Sequence, residues 1–84
     1  MKLLQLKLGG KPLSDPELEV LQAAADGLSA DETAERLVKS RHTVITQRRS
    51  LQAKLEARNL VHAVALAYER GLLDGARLDE AEAD

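Results

Sequence analysis

The segment SRHTVITQRRSLQAKL, residues 40–55, contains four basic side chains and no acidic one. The basic residues are Arg41, Arg48, Arg49 and Lys54. Arginine and lysine bind phosphate oxygens, and arginine can also donate two parallel hydrogen bonds to O6 and N7 of guanine. The segment is therefore a candidate nucleic-acid-binding surface, although a run of like charges is also typical of an ordinary solvated helix face.

Charge is segregated along the chain, whose formal net charge is -2 at pH 7. Residues 41–59 contain five basic side chains and one acidic one. Residues 14–28 contain four acidic side chains and no basic one, and residues 74–84 contain five acidic and one basic. Because a partner responds to the local field more than to the net charge, the cationic segment can attract a polyanion within an acidic protein.

Other kinds of site have little support in the sequence. The chain has no Cys, and His42 and His62 have no further ligand at a recognisable spacing, so we expect no metal site. No nucleophile has a base and an orienting partner nearby, and no glycine-rich phosphate loop is present, so we expect neither enzymatic activity nor a cofactor. No apolar run approaches roughly 18 residues and no signal peptide is recognisable, so we expect a cytoplasmic protein without membrane contact.

Capping residues predict where four helices begin. Two Ser-x-x-Glu capping boxes start the first two helices, and Ser40 and Asn59 are suitable N-caps for the third and fourth. The predicted helices span about 15–26, 30–38, 41–57 and 60–71. The residues expected to face the core are Leu18, Leu21 and Ala25 in the first helix, Ala34 and Leu37 in the second, and Val44, Leu51 and Leu55 in the third.

These elements predict an all-α fold with one helix-turn-helix domain over residues 14–73. Only about three residues separate the second and third helices, so the two must cross sharply, which is the helix-turn-helix arrangement. Residues 1–13 alternate Leu with polar residues before GGKP and are expected to form an extended arm. Residues 74–84 contain little apolar surface and are expected to be a flexible acidic tail.

The third helix has an outward face suited to the major groove. With Val44 toward the core, a helical projection places His42, Ile45, Thr46, Arg49 and Ala53 on the opposite side. On this face arginine can read guanine, and Thr46 or Ile45 can contact a thymine methyl group. Arg48 lies at the edge of the core stripe. On the other flank Gln47 can pair with adenine or bind phosphate, and Arg41, Lys54 and Arg58 are expected to contact phosphates.

The sequence from GLSADETAERL to NLVHAVALAYERGLL resembles the LuxR/GerE-type helix-turn-helix domain. The resemblance covers about residues 13–73. It is carried, in register, by Gly27, Glu32, Ala34, Leu37, Ser40, Thr43, Val44, Lys54, Leu55, Asn59, Ala63 and Val64. It implies base contacts by Ile45, Thr46 and Arg49, backbone contacts by Thr43 and Lys54, and a dimerising role for the fourth helix.

The chain departs from the family pattern at four positions. Thr33 and Lys39 stand where apolar residues are usual, Ile45 where a charged residue is common, and Gln47 where His is common. The resemblance implies a freestanding small member or a piece of a longer protein.

We therefore predict a dimeric, sequence-specific transcription regulator that binds double-stranded DNA with its third helix in the major groove. The predicted DNA-binding residues are Arg41, His42, Thr43, Ile45, Thr46, Gln47, Arg48, Arg49, Lys54 and Arg58. The alternative is a helix-turn-helix interaction module that docks on RNA polymerase or a sigma factor. The net acidity and Ile45 favour that alternative slightly.

The fourth helix is apolar nearly all round, since His62 is the only polar residue from Leu60 to Tyr68. A helix of this kind is buried on two sides, and in a small protein the second burial can come from a twin subunit. We expect Leu60, Val64, Ala67 and Tyr68 to enter the core and Ala63 and Leu66 to remain outside. The predicted dimer contacts are Val61, Ala63, Leu66, Arg70 and Leu73. The alternative is that residues 1–13 cover this helix.

Overall fold

The fold is all-α, as predicted. A computed structural model describes residues 12–73, so the predicted tail and nearly all of the predicted arm lie outside the described part. The helices are α1 Asp15–Ala25, α2 Ala30–Leu37, α3 Arg41–Leu55 and α4 Leu60–Glu69. No strand occurs within residues 12–73. α3 lies at the centre, since its contacts with the other three helices are the most extensive.

Each helix begins at the predicted cap. In α1 the hydroxyl of Ser14 accepts the Glu17 amide at 3.2 Å, and the Glu17 carboxylate accepts the Ser14 amide at 2.9 Å. Ser29 and Glu32 repeat this capping box at α2. The side chains of Ser40 and Asn59 cap α3 and α4. A side-chain cap contributes about 1 kcal/mol, so the four caps help to stabilise these short helices.

All four helices end before their predicted boundaries, α1 and α2 by one residue and α3 and α4 by two. α3 ends at Leu55 instead of residue 57 because Glu56 adopts the left-handed conformation, with φ 58°. α4 ends at Glu69, two residues before Gly71, which has φ 73°.

The turn between α2 and α3 is strained. Val38 closes α2 with φ 55° and ψ 57°, a left-handed conformation that costs roughly 1–2 kcal/mol for a residue with a Cβ atom. Val38 is 90% exposed, so burial of the valine does not offset the cost of this backbone conformation.

The core is aliphatic and lies among α1, α3 and α4. Its buried members are Val20, Leu21, Val44, Leu51, Leu55, Ala63, Ala67 and Leu73. The predicted stripe of Val44, Leu51 and Leu55 on α3 is confirmed. Ala34 and Leu37 of α2 pack against this core while remaining partly exposed.

The inward face of α1 differs from the prediction. Leu18 is only half-buried, whereas Glu17, Val20, Leu21 and Ala23 are buried. The helix is rotated in this way because the Glu17 carboxylate finds hydrogen-bond donors on α3, as described below. Ala25 packs against the edge of the core.

The inward face of α4 also differs. Ala63 and Ala67 are fully buried, while Tyr68 is 36% exposed, so the expectation that Ala63 faces outward and Tyr68 inward is wrong. Leu66 packs against the core as a partly buried residue instead of remaining outside, and Leu73 is buried. Two alanines on the inner face allow α4 to lie close to its neighbours, whereas a tyrosine there would require more space.

We predict that Thr33→Val stabilises the domain. Thr33 of α2 is fully buried and its hydroxyl has no hydrogen-bond partner, so valine would remove an unsatisfied polar group while keeping the branched shape. The free energy of unfolding in urea should rise by about 1 kcal/mol. Thr46→Val makes the same change at an exposed helix position and should alter it by less than about 0.5 kcal/mol. A lower stability for Thr33→Val would contradict the assignment.

Candidate nucleic-acid interface

The outer face of α3 presents a small polar surface to solvent. His42, Thr46, Arg49 and Ala53 are all exposed, and Ile45 is half-buried beside them. They lie opposite Val44, which has no exposed surface. The structure therefore brings together, on one helix face, the side chains predicted to face a groove.

Arg49 and Arg58 are the two cations of the predicted set whose side chains form no ion pair or hydrogen bond with residues 12–73. Both are exposed. The backbone amide of Arg58 donates to Nδ1 of His62 at 3.0 Å, which holds the turn before α4 while leaving the guanidinium in solvent. Both guanidinium groups are available to bind an anion.

Arg41 forms an exposed ion pair across the helix-turn-helix. Its Nε lies 2.8 Å from Oδ1 of Asp31, and the two side chains are 66% and 77% exposed. Ion pairs this exposed contribute at most about 1 kcal/mol, so a phosphate can displace Asp31 at little cost. Arg41 therefore remains a candidate phosphate ligand, on the first turn of α3.

Arg48 is tied to the protein instead of facing solvent. Its Nη2 donates to the carbonyl of Leu28, in the connection between α1 and α2, at 3.2 Å. Its Nε is buried without a hydrogen-bond partner. This geometry places Arg48 against the start of α2, where it positions α3, and away from the exposed face that carries Arg49.

Lys54 is bound to a buried carboxylate. Its Nζ lies 2.8 Å from Oε1 of Glu17, whose side chain is 8% exposed. Ser50 donates a second hydrogen bond to the other carboxylate oxygen, and the Ser14 amide donates a third. We call these four residues the Glu17 cluster.

The cluster keeps Glu17 ionised. Burial by itself raises the pKa of Glu17, but the hydrogen bonds from Lys54, Ser50 and Ser14, together with the charge of Lys54, outweigh it and lower the pKa from 4.5 to about 2. The positive charge of Lys54 is therefore largely compensated within the protein. This engagement weakens its expected role as a phosphate ligand and gives it a structural one.

Two further contacts organise the amino-terminal half of α3. Nζ of Lys39 donates to Oε1 of Gln47 at 2.9 Å, and the hydroxyl of Ser40 donates to the hydroxyl of Thr43 at 2.9 Å. Lys39 and Gln47 are both half-buried. Each contact links the turn after α2 to the flank of α3.

Sequence reasoning missed the contacts that Glu17 and Lys39 make with the side chains of α3. Ser50 and Lys54 lie 33 and 37 residues from Glu17, so no local spacing indicates their association. Lys39 did give a signal, because it is a cation at a position where the family pattern is apolar.

Within residues 12–73 there is no cluster of three His, Cys, Asp or Glu side chains able to hold a metal ion. None of the helices in that range is both long and apolar enough to cross a membrane.

A family model described as GerE, bacterial regulatory proteins of the luxR family, matches residues 11–67. The matched range spans α1, α2 and α3 and most of α4. A comparison with curated proteins finds no significant match.

We predict that the Glu17 cluster makes stability depend on acidity. Because the folded-state pKa is lowered, the stabilisation is present above the ordinary pKa of 4.5 and is lost as the pH falls toward about 2. The loss should amount to about 2–3 kcal/mol. Urea unfolding of Glu17→Gln should show a correspondingly smaller decrease between pH 6 and the acid limit, although this variant is less stable at neutral pH because Lys54 loses its counter-charge.

The matched control is Glu19→Gln, an exposed carboxylate on the same helix. It should retain the acid dependence of the parent. If the parent and Glu17→Gln lose the same free energy of unfolding on acidification, the cluster does not have this effect.

Proposed function

Because the chain belongs to the LuxR family of bacterial regulatory proteins, we propose that it is a sequence-specific regulator that acts in the cytoplasm as a homodimer, with α3 in the major groove of its operator. Membership in the family makes it a DNA-binding transcription regulator. The sequence specificity, the dimer and the groove assignment are the proposed part.

The observation that carries the proposal is the exposed face of α3. Arg49 has no partner within residues 12–73 and stands beside Thr46 and Ile45 on a face without a carboxylate. A free guanidinium can donate two hydrogen bonds to a guanine, and the methyl groups of Thr46 and Ile45 can contact thymine.

The contacts of the other cations refine the predicted site. Arg49 is the base-reading candidate, while Arg41 and Arg58, at the two ends of α3, are phosphate-binding candidates. Arg48 and Lys54 position the helix, since they are held by Leu28 and Glu17. A helix in a groove must be fixed in orientation before one arginine can discriminate between bases, so these internal contacts also serve specificity.

A docking module for RNA polymerase or a sigma factor remains the second candidate. The net acidity and the apolar Ile45 favour it, and a shallow groove between α1 and α2, lined by Glu19, Gln22, Ala23, Asp26, Arg36 and Leu37, would be the surface that it offers. The groove mixes an apolar floor with charged sides, as protein contacts do. It does not involve the outer face of α3, so the two candidates can be separated by substitutions on that face.

The exposed side of α4 supports the proposed homodimer. Val61 is 79% exposed, and Ala65 and Tyr68 follow it on the same helix face. Leu72 is exposed just beyond the helix. Apolar side chains gathered on one exposed face are typical of an interface. Of the five predicted contact residues, Val61 and Arg70 are exposed and Leu66 is half-buried, whereas Ala63 and Leu73 are buried and offer little surface to a partner.

We predict that Arg49→Ala relaxes the sequence preference. Loss of a base-reading arginine should weaken binding to the preferred operator by about 1–3 kcal/mol and weaken binding to random duplex much less. The preferred operator would be obtained by selection from a random library and binding measured by fluorescence anisotropy. Arg36→Ala, an arginine on α2 that faces Asp26, is the matched control and should retain the preference. Equal preference in the parent and Arg49→Ala would favour the docking module.

We predict that Val61→Glu yields a folded monomer. A carboxylate on each side of a symmetric contact would be both desolvated and repelled by its twin. Sedimentation at tens of micromolar would measure the oligomeric state, and operator affinity should fall because the dimer is lost. Val38→Glu introduces the same side chain at the other strongly exposed valine and should leave the dimer intact. A parent that sediments as a monomer would exclude the dimer.

A further inference from the structure

Lys39 is a cation beside α3 that has no role in the proposed function. It lies in the turn between α2 and α3, directly before the cap residue Ser40, and is half-buried. Its ammonium donates to the side-chain oxygen of Gln47 at 2.9 Å. Within residues 12–73 no carboxylate forms an ion pair with it, in contrast to Arg41 and Lys54. Two of its three N–H donors therefore remain available.

The contact from Lys39 determines which end of the Gln47 amide is free. Because an ammonium can only donate hydrogen bonds, the group facing it must be the carbonyl oxygen Oε1. The NH2 group of Gln47 has no partner within residues 12–73 and can donate. The side chain that the sequence left open between pairing with adenine and binding phosphate thus presents donors.

Thr43 has the same arrangement one helical turn earlier on the same flank of α3. Its hydroxyl oxygen accepts a hydrogen bond from Ser40, whose own oxygen accepts the Thr43 amide. The proton of the Thr43 hydroxyl is therefore left to donate. Lys39, Thr43 and Gln47 each keep a free donor, while the side-chain oxygens of Thr43 and Gln47 are already bonded.

We propose that Lys39, Thr43 and Gln47 form a clamp for one backbone phosphate of the bound DNA. This inference rests on the proposed DNA-binding function. A phosphate offers acceptor oxygens and a negative charge, which match three donors that include an ammonium.

Adenine fits these donors less well. The two-point adenine contact needs the glutamine oxygen to accept from the N6 amino group. Here that oxygen is 2.9 Å from a positive charge, which disfavours the approach of another donor. Gln47 is accordingly a positioning residue that fixes the register of α3 without reading a base.

The test uses the full chain and Gln47→Glu. The new carboxylate can still accept the hydrogen bond of Lys39, so the fold is kept, but it presents oxygens in place of N–H donors. Gln52→Glu is the matched control, because Gln52 is half-buried on the same helix and its side chain has no hydrogen bond within residues 12–73. Binding would be measured on two duplexes, one of alternating A·T pairs and one of alternating G·C pairs.

Relative to Gln52→Glu, Gln47→Glu should bind both duplexes roughly tenfold more weakly. Lys39→Met provides a second measurement. It should weaken binding to both duplexes and lower the slope of log affinity against log salt by about 0.9, the value for one phosphate contact.

The outcomes separate the possible errors. Equal binding by Gln47→Glu and Gln52→Glu, or an unchanged salt slope for Lys39→Met, overturns the clamp. A loss confined to the G·C duplex means that Gln47 reads guanine, and a loss confined to the A·T duplex means that it reads adenine; either overturns the clamp. A parent that binds neither duplex at low salt overturns the proposed function and the clamp together.

Discussion

The buried carboxylate of Glu17 fixes the relative arrangement of α1 and α3, on which the rest of the domain depends. It receives hydrogen bonds from its own helix start at Ser14 and from Ser50 and Lys54 of α3. A buried charge is tolerated only when it is paired and hydrogen-bonded, so the first turn of α1 and the second half of α3 must meet in one arrangement. The aliphatic side chains around it supply most of the buried apolar surface, but apolar packing alone would tolerate small rotations of a helix. The hydrogen bonds of Glu17 do not permit such rotations.

Several features that look like parts of a DNA-binding surface in the sequence are means of holding α3. Lys54 is bound to α1 and Arg48 to the connection between α1 and α2, whereas Arg41 has only an exposed ion pair with the first turn of α2. α3 therefore has fewer free positive charges than its composition suggests. Arg49 keeps a free guanidinium on a helix whose rotation is fixed, so the base recognition proposed for it would depend on geometry as well as on attraction to a polyanion.

The sequence predicts the helix starts well because each start is a local event. The side chains of Ser14, Ser29, Ser40 and Asn59 each accept the amide three residues further on, and the helices begin there. The sequence also predicts the α3 stripe, whose spacing is set by one helix. It fails for the rotation of α1, because Glu17 is drawn inward by residues more than 30 positions away. It fails for α4 as well, because nearly every residue there is apolar and periodicity cannot distinguish the close fit of Ala63 from the exposure of Tyr68.

The same limits apply to the site. Which residues of α3 face outward follows from helical geometry, so the exposed position of Arg49 could be predicted. The engagement of Arg48 and Lys54 could not, because it depends on groups that only the tertiary fold brings near. Whether Gln47 offers an oxygen or an NH2 group likewise depends on Lys39, in a turn whose conformation the sequence does not specify.

The conformation of Val38 has a consequence for local unfolding. α2 contributes a single fully buried side chain, Thr33, whose hydroxyl is unpaired, and the helix ends at a valine in the left-handed conformation. We therefore expect α2 to open most readily of the four described helices, and its amides should exchange with solvent through fluctuations that leave α1, α3 and α4 folded. In a helix-turn-helix, α2 supports the recognition helix. A ligand that orders α2 must then offset the free energy of this local opening. Its binding should slow the hydrogen exchange of the α2 amides.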